Sequence, residues 1–258
     1  MGSDVDRERR RATIDATAIP RARPSTPSPE PHVNVVVFGA SGMVGHGVLR
    51  ACLLDPAVTS VLVVGRGPLG VTHPKLREVI HQDLTDLSAL SGQLAGLDAC
   101  FFCVGVSAAG RTEAEYTRVT HDFTLAVAAA VSRRNPGITF AYVSGEGTDS
   151  TERGRTMWAR VKGRTENALL AMEMDAYMFR PGYIQPRHGA VSRTPAYRVM
   201  YTLTSWLYPL LHRIAPGHTT TTEHLGRAML AVARPPAARP GGANPRVLDS
   251  REINRLGA

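Results

Sequence analysis

The chain has 258 residues, of which 43% are hydrophobic and 20% charged, the balance of one α/β domain with a full core. Its formal net charge of +8 does not mark a nucleic-acid surface: residues 1–31 carry +1, residues 32–150 carry −2 and residues 151–258 carry +9, and that excess is scattered singly. No apolar run reaches the roughly 18 residues that span a bilayer; the nearest, Val199 to Leu211, is too short and is flanked by Arg198, His212 and Arg213.

Residues 1 to about 31 are rich in Arg, Pro, Ser and Thr without periodicity, which predicts a disordered leader and an ordered domain from about His32. Val33 to Phe38 is an apolar, β-branched run of strand length. After the turn Gly39-Ala-Ser-Gly-Met-Val-Gly45, the residues Val44, Val48, Leu49, Cys52 and Leu53 recur at helical spacing. Val58 to Val64 predicts a second strand, closing on Gly65-Arg66-Gly67-Pro68, and Glu78 to His81 a short third one. Leu84, Leu87, Leu90 and Leu94 predict a short helix, and Asp98 to Val104 a fourth strand ending at Gly105. An amphipathic helix is expected from about Thr112 to Arg134, stopped by Asn135-Pro136-Gly137. Strand Ile138 to Val143, helix Arg153 to Met172 and strand Ala176 to Phe179 follow.

From about residue 183 the pattern loosens into a C-terminal elaboration. A helix is expected from Tyr197 to Arg213, and Thr220-Thr-Thr-Glu223 reads as a capping box opening a helix to about Val232. Arg246 to Asp249 is expected as an edge strand. Alternating strands and helices predict a doubly wound parallel sheet, a Rossmann fold with a small helical elaboration on the substrate side. Three cysteines cannot form a closed disulfide set, which predicts a reducing compartment and, with no secretory signal, a cytoplasmic protein. Cys100 and Cys103 have redox-motif spacing, but in a strand residues three apart face opposite ways, so the thiols should not pair.

The glycine turn has the form that cradles a dinucleotide pyrophosphate. Gly39 allows the turn, Gly42 lets backbone approach phosphate, and Gly45 lets helix and strand pack. Ser41, Met43 and Val44 complete the turn, and the N–H groups and positive end of the helix face the anion. No carboxylate ends the second strand, where NAD ribose hydroxyls are usually held. Arg66 stands there instead and can pair with a 2′-phosphate, which favours NADP(H) and leaves NAD(H) open. Asp83 and Leu84 are placed to border the adenine. Cys103, Val104 and Gly105 should approach the nicotinamide ribose.

Taken in order, Gly39 to Gly45, Gly65-Arg66, Asp83-Leu84, Val143-Ser144-Gly145, Val161-Lys162-Gly163 with Glu166, and Phe179-Arg-Pro-Gly182 resemble an atypical or extended short-chain dehydrogenase/reductase. Within that family the likeness is to the NAD-dependent epimerase/dehydratase-like branch, near the Tat-interacting-protein oxidoreductases, and covers about residues 33 to 250. The resemblance implies a Rossmann fold, NADP(H), Pro181 among the cofactor contacts, and a Ser/Thr, Tyr and Lys catalytic set. One departure matters. The family's Tyr-x-x-x-Lys reads Trp158-Ala-Arg-Val-Lys162 here, and an indole N–H donates a hydrogen bond but does not ionise near neutral pH.

Ser144 ends the fifth strand, but the family's hydroxyl usually comes one or two residues later, where Gly145 and Glu146 stand, with Thr148 beyond. Glu146 and Tyr183 are therefore the candidate proton donors beside Lys162 and Ser144. The resemblance implies an oxidoreductase or epimerase using hydride chemistry on a small organic substrate, and the basic C-terminal part suits an anionic one. The other expectation is a catalytically degenerate nucleotide-binding redox sensor or scaffold. No metal is expected: His218, His224 and Glu223 flank a helix cap with no further ligand specified. Trp206, Leu207, Tyr208, Leu210 and Leu211 fit a pocket wall or a homodimer interface better than a membrane surface.

Overall fold

The first strand, β1 (Val33–Phe38), is buried except for half-exposed Asn34, as a strand covered on both faces must be. In the computed structural model, which describes residues 32–190, 208, 213–235 and 245–258, it is followed by α1 (Met43–Leu54), β2 (Val58–Gly65), β3 (Leu76–Ile80) and β4 (Ala99–Phe102). Next come α2 (Glu113–Thr117), α3 (Phe123–Arg134), β5 (Thr139–Val143), α4 (Met157–Leu170) and β6 (Asp175–Arg180). The last elements are β7 (Tyr183–Gln185), β8 (Thr219–Thr221), α5 (Thr222–Ala233), β9 (Val247–Asp249) and α6 (Ser250–Gly257). The expected leader and nearly all of the expected helix from Tyr197 to Arg213 lie outside the described residues.

The main sheet has the order β3-β2-β1-β4-β5-β6-β9, and every pair in it is parallel. This is the doubly wound Rossmann sheet that the alternation of elements predicts. Successive residues of β1 serve opposite cores. Val35 and Val37, with Phe101 of β4, pack towards Val48 of α1 and Leu225 and Met229 of α5. Val36 and Phe38, with Phe102, pack towards Phe123, Val127 and Val131 of α3. Each such side chain contributes roughly 1.5–3 kcal/mol on burial. Cys100 packs into the second core and Cys103 against the first, so the two thiols face apart and are free.

Several elements differ from the sequence expectation. Over Leu84 to Leu94 only the turn Ser88–Leu90 is helical, of 3₁₀ type, although Leu87, Leu90 and Leu94 are buried. Asp83 and Asp86 accept from the backbone N–H groups of Thr85 and Ser88, local bonds that compete with a helix. The expected helix from Thr112 is broken into α2 and α3 by a π-turn, Arg118–Asp122. Helix α4 starts at Met157 rather than Arg153, because Asp149 holds the N–H groups of Thr151 and Gly154 in a loop. The cap of α5 is Thr221, which accepts from the N–H of His224 at 2.9 Å, while Thr220 bonds Asn254. The small parallel sheet of β7 and β8 and helix α6 were not expected.

Candidate active site

Two parts of the sheet's C-terminal edge meet at β1 and β4, where the strand order reverses and α/β sheets place their ligands. The first is the glycine turn. Gly39 has φ +83°, a left-handed conformation, and a Cβ on it would lie 2.8 Å from the Cys103 carbonyl carbon and 2.9 Å from the Val104 nitrogen. A Cβ on Gly45 would lie 2.1 Å from the Gly39 oxygen, so strand and helix touch backbone to backbone there. Gly42 caps α1 with no side-chain hydrogen bond, and no acidic residue stands in the helix's first turn. Ser41, Met43 and Val44 flank this bare positive end, which suits an anion.

Arg66 is exposed just past β2; its carbonyl accepts from Gln82 Nε2 at 3.0 Å, and its guanidinium has no ion pair among the described residues. Asp83 is spent locally: the Thr85 hydroxyl and N–H donate to it at 2.5 and 3.0 Å and lower its pKa. Leu84 packs against the α3-side core. Cys103 donates its backbone N–H to the Phe38 oxygen at 2.9 Å, and burial pushes its thiol up to about 12. Val104 and Gly105 continue from it into the loop after β4.

The second part is an open cleft of about 630 Å³ beyond β4, β5 and β6. Its walls include Val106, Tyr116, Glu146, Trp158, Lys162 and Pro181. Trp158, Lys162 and Glu166 follow one another at single-turn spacing on α4 and so share a face. The Lys162 ammonium donates to the backbone oxygen of Ser144. Burial lowers its pKa to about 8, against the opposing pull of Glu166. The Ser144 hydroxyl does not share that direction: it donates to Glu166 Oε1 at 2.5 Å and lies 3.1 Å from the Phe179 oxygen. Glu166 is 1% exposed, and Arg180 Nε lies 3.1 Å from each of its oxygens. Arg180 Nη2 bonds Glu166 as well and donates to the Ser150 hydroxyl at 2.5 Å.

Glu146 stands where the family usually has its hydroxyl. Its N–H donates to the Pro181 oxygen at 2.9 Å and its carboxylate pairs with His218 Nδ1. Gly182 leaves the space for this contact: a Cβ there would lie 2.4 Å from Glu146 Oε2. The edge of the Trp158 indole lies over Gly147. Tyr183 is not among the cleft-lining residues; its hydroxyl donates to Gln185 at 3.1 Å and its ring centre lies 6.3 Å from that of Tyr208. Thus Ser144, Glu146, Lys162 and Pro181 come together, and Tyr183 stands apart from them.

His218, His224 and Glu223 have separate partners, respectively Glu146, Asn254, and the pair His188 and Arg227. Sequence reasoning missed Tyr116, which is buried in the cleft wall, and the roles of His218 and Arg180 as partners of Glu146 and Glu166. Only Glu166 had a usable signal, its one-turn spacing from Lys162. Of the stretch Trp206 to Leu211, only Tyr208 is among the described residues.

A parallel Rossmann sheet with a glycine turn at its switch point, and a lysine on the helix that follows β5, agrees with the resemblance to the short-chain dehydrogenases/reductases. Residues 35–157 match the model of the NAD dependent epimerase/dehydratase family. It is 27% identical over 227 residues to the mitochondrial protein fmp52-2 of Aspergillus oryzae, covering 86% of this chain and 95% of that one. Among solved structures it is similar to UDP-N-acetylglucosamine 4-epimerase from Methanobrevibacter ruminantium M1, with a TM-score of 0.59 at 16% identity, over 78% of this chain and 73% of that one. A short-chain dehydrogenase/reductase from Saccharomyces cerevisiae gives a TM-score of 0.59 at 13% identity, over 88% and 100%. None of these matches bears on the narrower likeness to the Tat-interacting-protein oxidoreductases.

The expectation of a cytoplasmic protein is corrected by the same comparison, because the curated relatives are named as mitochondrial. Free thiols separate reducing from oxidising compartments and cannot choose among the reducing ones. Among the described residues no helix is long and apolar enough to cross a membrane.

Proposed function

We propose that the chain binds a nicotinamide dinucleotide, NADP(H) in preference to NAD(H), and acts as an oxidoreductase or epimerase on a small organic substrate in the cleft. One observation carries this: Gly39 abuts Cys103 and Val104, whose chain runs straight into the loop that walls the cleft holding Lys162 and Glu146. The turn fits the dinucleotide, because α1 starts without a side-chain cap and without a carboxylate that would repel phosphate. Gly39, Ser41, Gly42, Met43, Val44 and Gly45 would hold the pyrophosphate. Arg66 would hold a 2′-phosphate, Asp83 and Leu84 the adenine side, and Cys103, Val104, Gly105, Lys162 and Pro181 the nicotinamide side. When bound, the dinucleotide supplies or accepts a hydride.

The residues of the chain then have the remaining work. Lys162, as an ammonium, donates hydrogen bonds to a ribose hydroxyl or to the substrate oxygen. Its charge, with the basic C-terminal part, suits an anionic substrate. Trp158 cannot exchange a proton, so it walls the substrate space. Glu146 gives or takes the proton at the substrate oxygen, with His218 holding the carboxylate. Ser144 faces Glu166 and holds Lys162 by its carbonyl.

A second reading rests on Trp158 alone: a nucleotide-binding sensor or scaffold with no turnover. A panel of carbonyl substrates followed by NADPH absorbance separates the two. Turnover should appear, and Glu146→Gln should cut it by about 100-fold with nucleotide affinity unchanged. Turnover that survives both Glu146→Gln and Lys162→Met would overturn the assignment of roles.

A further inference from the structure

The side chains behind Lys162 form a chain of contacts that the proposed chemistry does not itself use. Glu166 is closed off from solvent and held by the Arg180 guanidinium through both carboxylate oxygens. A buried ion pair is costly to assemble and contributes little net stability, so its place matters more than its strength. Its other contact is the Ser144 hydroxyl, and Ser144 is the residue whose carbonyl accepts from Lys162. Glu166 thus reaches the lysine by two routes: along the helix, one turn on, and through Ser144 on the end of β5. Arg180, at the end of β6, is anchored in turn on Ser150 in the β5–α4 loop.

We propose that Glu166 is a positioning residue for Lys162: clamped by Arg180, it fixes Ser144 by the hydroxyl and, through the Ser144 carbonyl, aims the lysine into the cleft. This rests on the reading that Lys162 holds the dinucleotide or substrate. The charged and titratable groups around the lysine are Glu166 on its own helix, Glu146 from the β5–α4 loop and the Tyr116 phenol from α2, with Arg180 and the Tyr142 phenol behind Glu166. Burial favours the neutral amine, and the Glu166 carboxylate opposes that. Removing the carboxylate charge leaves burial and the Arg180 cation both acting against the ammonium. The lysine then loses its proton at lower pH and loses its tether as well.

The test is NADPH binding to the full chain, read by fluorescence across pH 6 to roughly 9.5, a range that spans the lysine's titration near about 8. In the native protein, binding should weaken as pH rises through about 8. Lys162→Met should bind about tenfold more weakly with no such alkaline limb. Glu166→Gln should move the limb to lower pH by about one unit, and Glu166→Asp, which keeps the charge, should move it back. If Glu166→Gln does not fold, Ser144→Ala keeps the ion pair and cuts only the hydroxyl link; it should weaken binding several-fold. A limb unmoved in Glu166→Gln, or native affinity in Ser144→Ala, overturns the clamp while a flat Lys162→Met profile keeps the lysine's role. A Lys162→Met protein that titrates like the native one overturns both.

Discussion

The glycine turn and the α4 face lie on the same edge of one sheet, yet they differ in how tightly backbone geometry specifies them. At the turn, function and packing make the same demand. A side chain at position 39 or 45 would strike main-chain atoms at 2.8 and 2.1 Å, so neither site tolerates a change whatever is bound. On α4 the family's spacing survives, but the residue one turn before Lys162 is Trp158, and nothing in the backbone demands either an indole or a phenol there. The turn can be inferred from sterics alone, whereas the chemistry at the other end depends on which side chains a few open positions carry.

Substitutions should sharpen this contrast. The largest effect belongs to Gly45→Ala, because the new methyl meets the Gly39 oxygen and neither backbone can move away. The expected loss is about 3 kcal/mol, seen as a fall in Tm of roughly 6–12 °C. Gly67→Ala, with nothing within 4 Å of the added carbon, is the matched control and should leave Tm unchanged. Next comes Trp158→Tyr, which restores a phenol one turn from Lys162 without touching the turn. Turnover of a carbonyl substrate should rise by about 100-fold at unchanged nucleotide affinity. No gain would mean that Glu146 already supplies the proton fully or that the cleft performs no such reaction, and the Glu146→Gln variant separates those cases. The smallest effect is that of Arg66→Ala: NADPH should bind about tenfold more weakly and NADH almost as before. An equal loss for both would remove the 2′-phosphate role.

The same contrast governs how much could be read from the sequence. Strands β1 and β4 to β6, and β2 from Val61 to Val64, are buried on both faces and so appear as mainly apolar runs. The glycines are legible for the steric reason just given. By contrast, β7 and β8 are three residues long, and the Thr-Thr-Thr of β8 reads as a cap signal before it reads as a strand. Helix α6 carries its own capping box, Asp249 with Glu252, but is too short for apolar periodicity to announce it. Leucines 84 to 94 show the reverse error, in which helical spacing records burial without a helix.

At the site, Lys162 is legible because a local motif marks it. Its support is not, because that support is tertiary. The Glu146–His218 pair joins residues 72 positions apart, and Arg180 reaches Glu166 across 14. The Ser144 hydroxyl is likewise committed to Glu166, one turn beyond Lys162 on α4, which no local motif announces.

The central claim is that the turn from Gly39 to Gly45 holds a nicotinamide dinucleotide. It is tested most directly by titrating the full chain with NADPH and with NADH. Saturable binding at micromolar concentration, tighter for NADPH, is the predicted result; no binding of either dinucleotide in that range would contradict it.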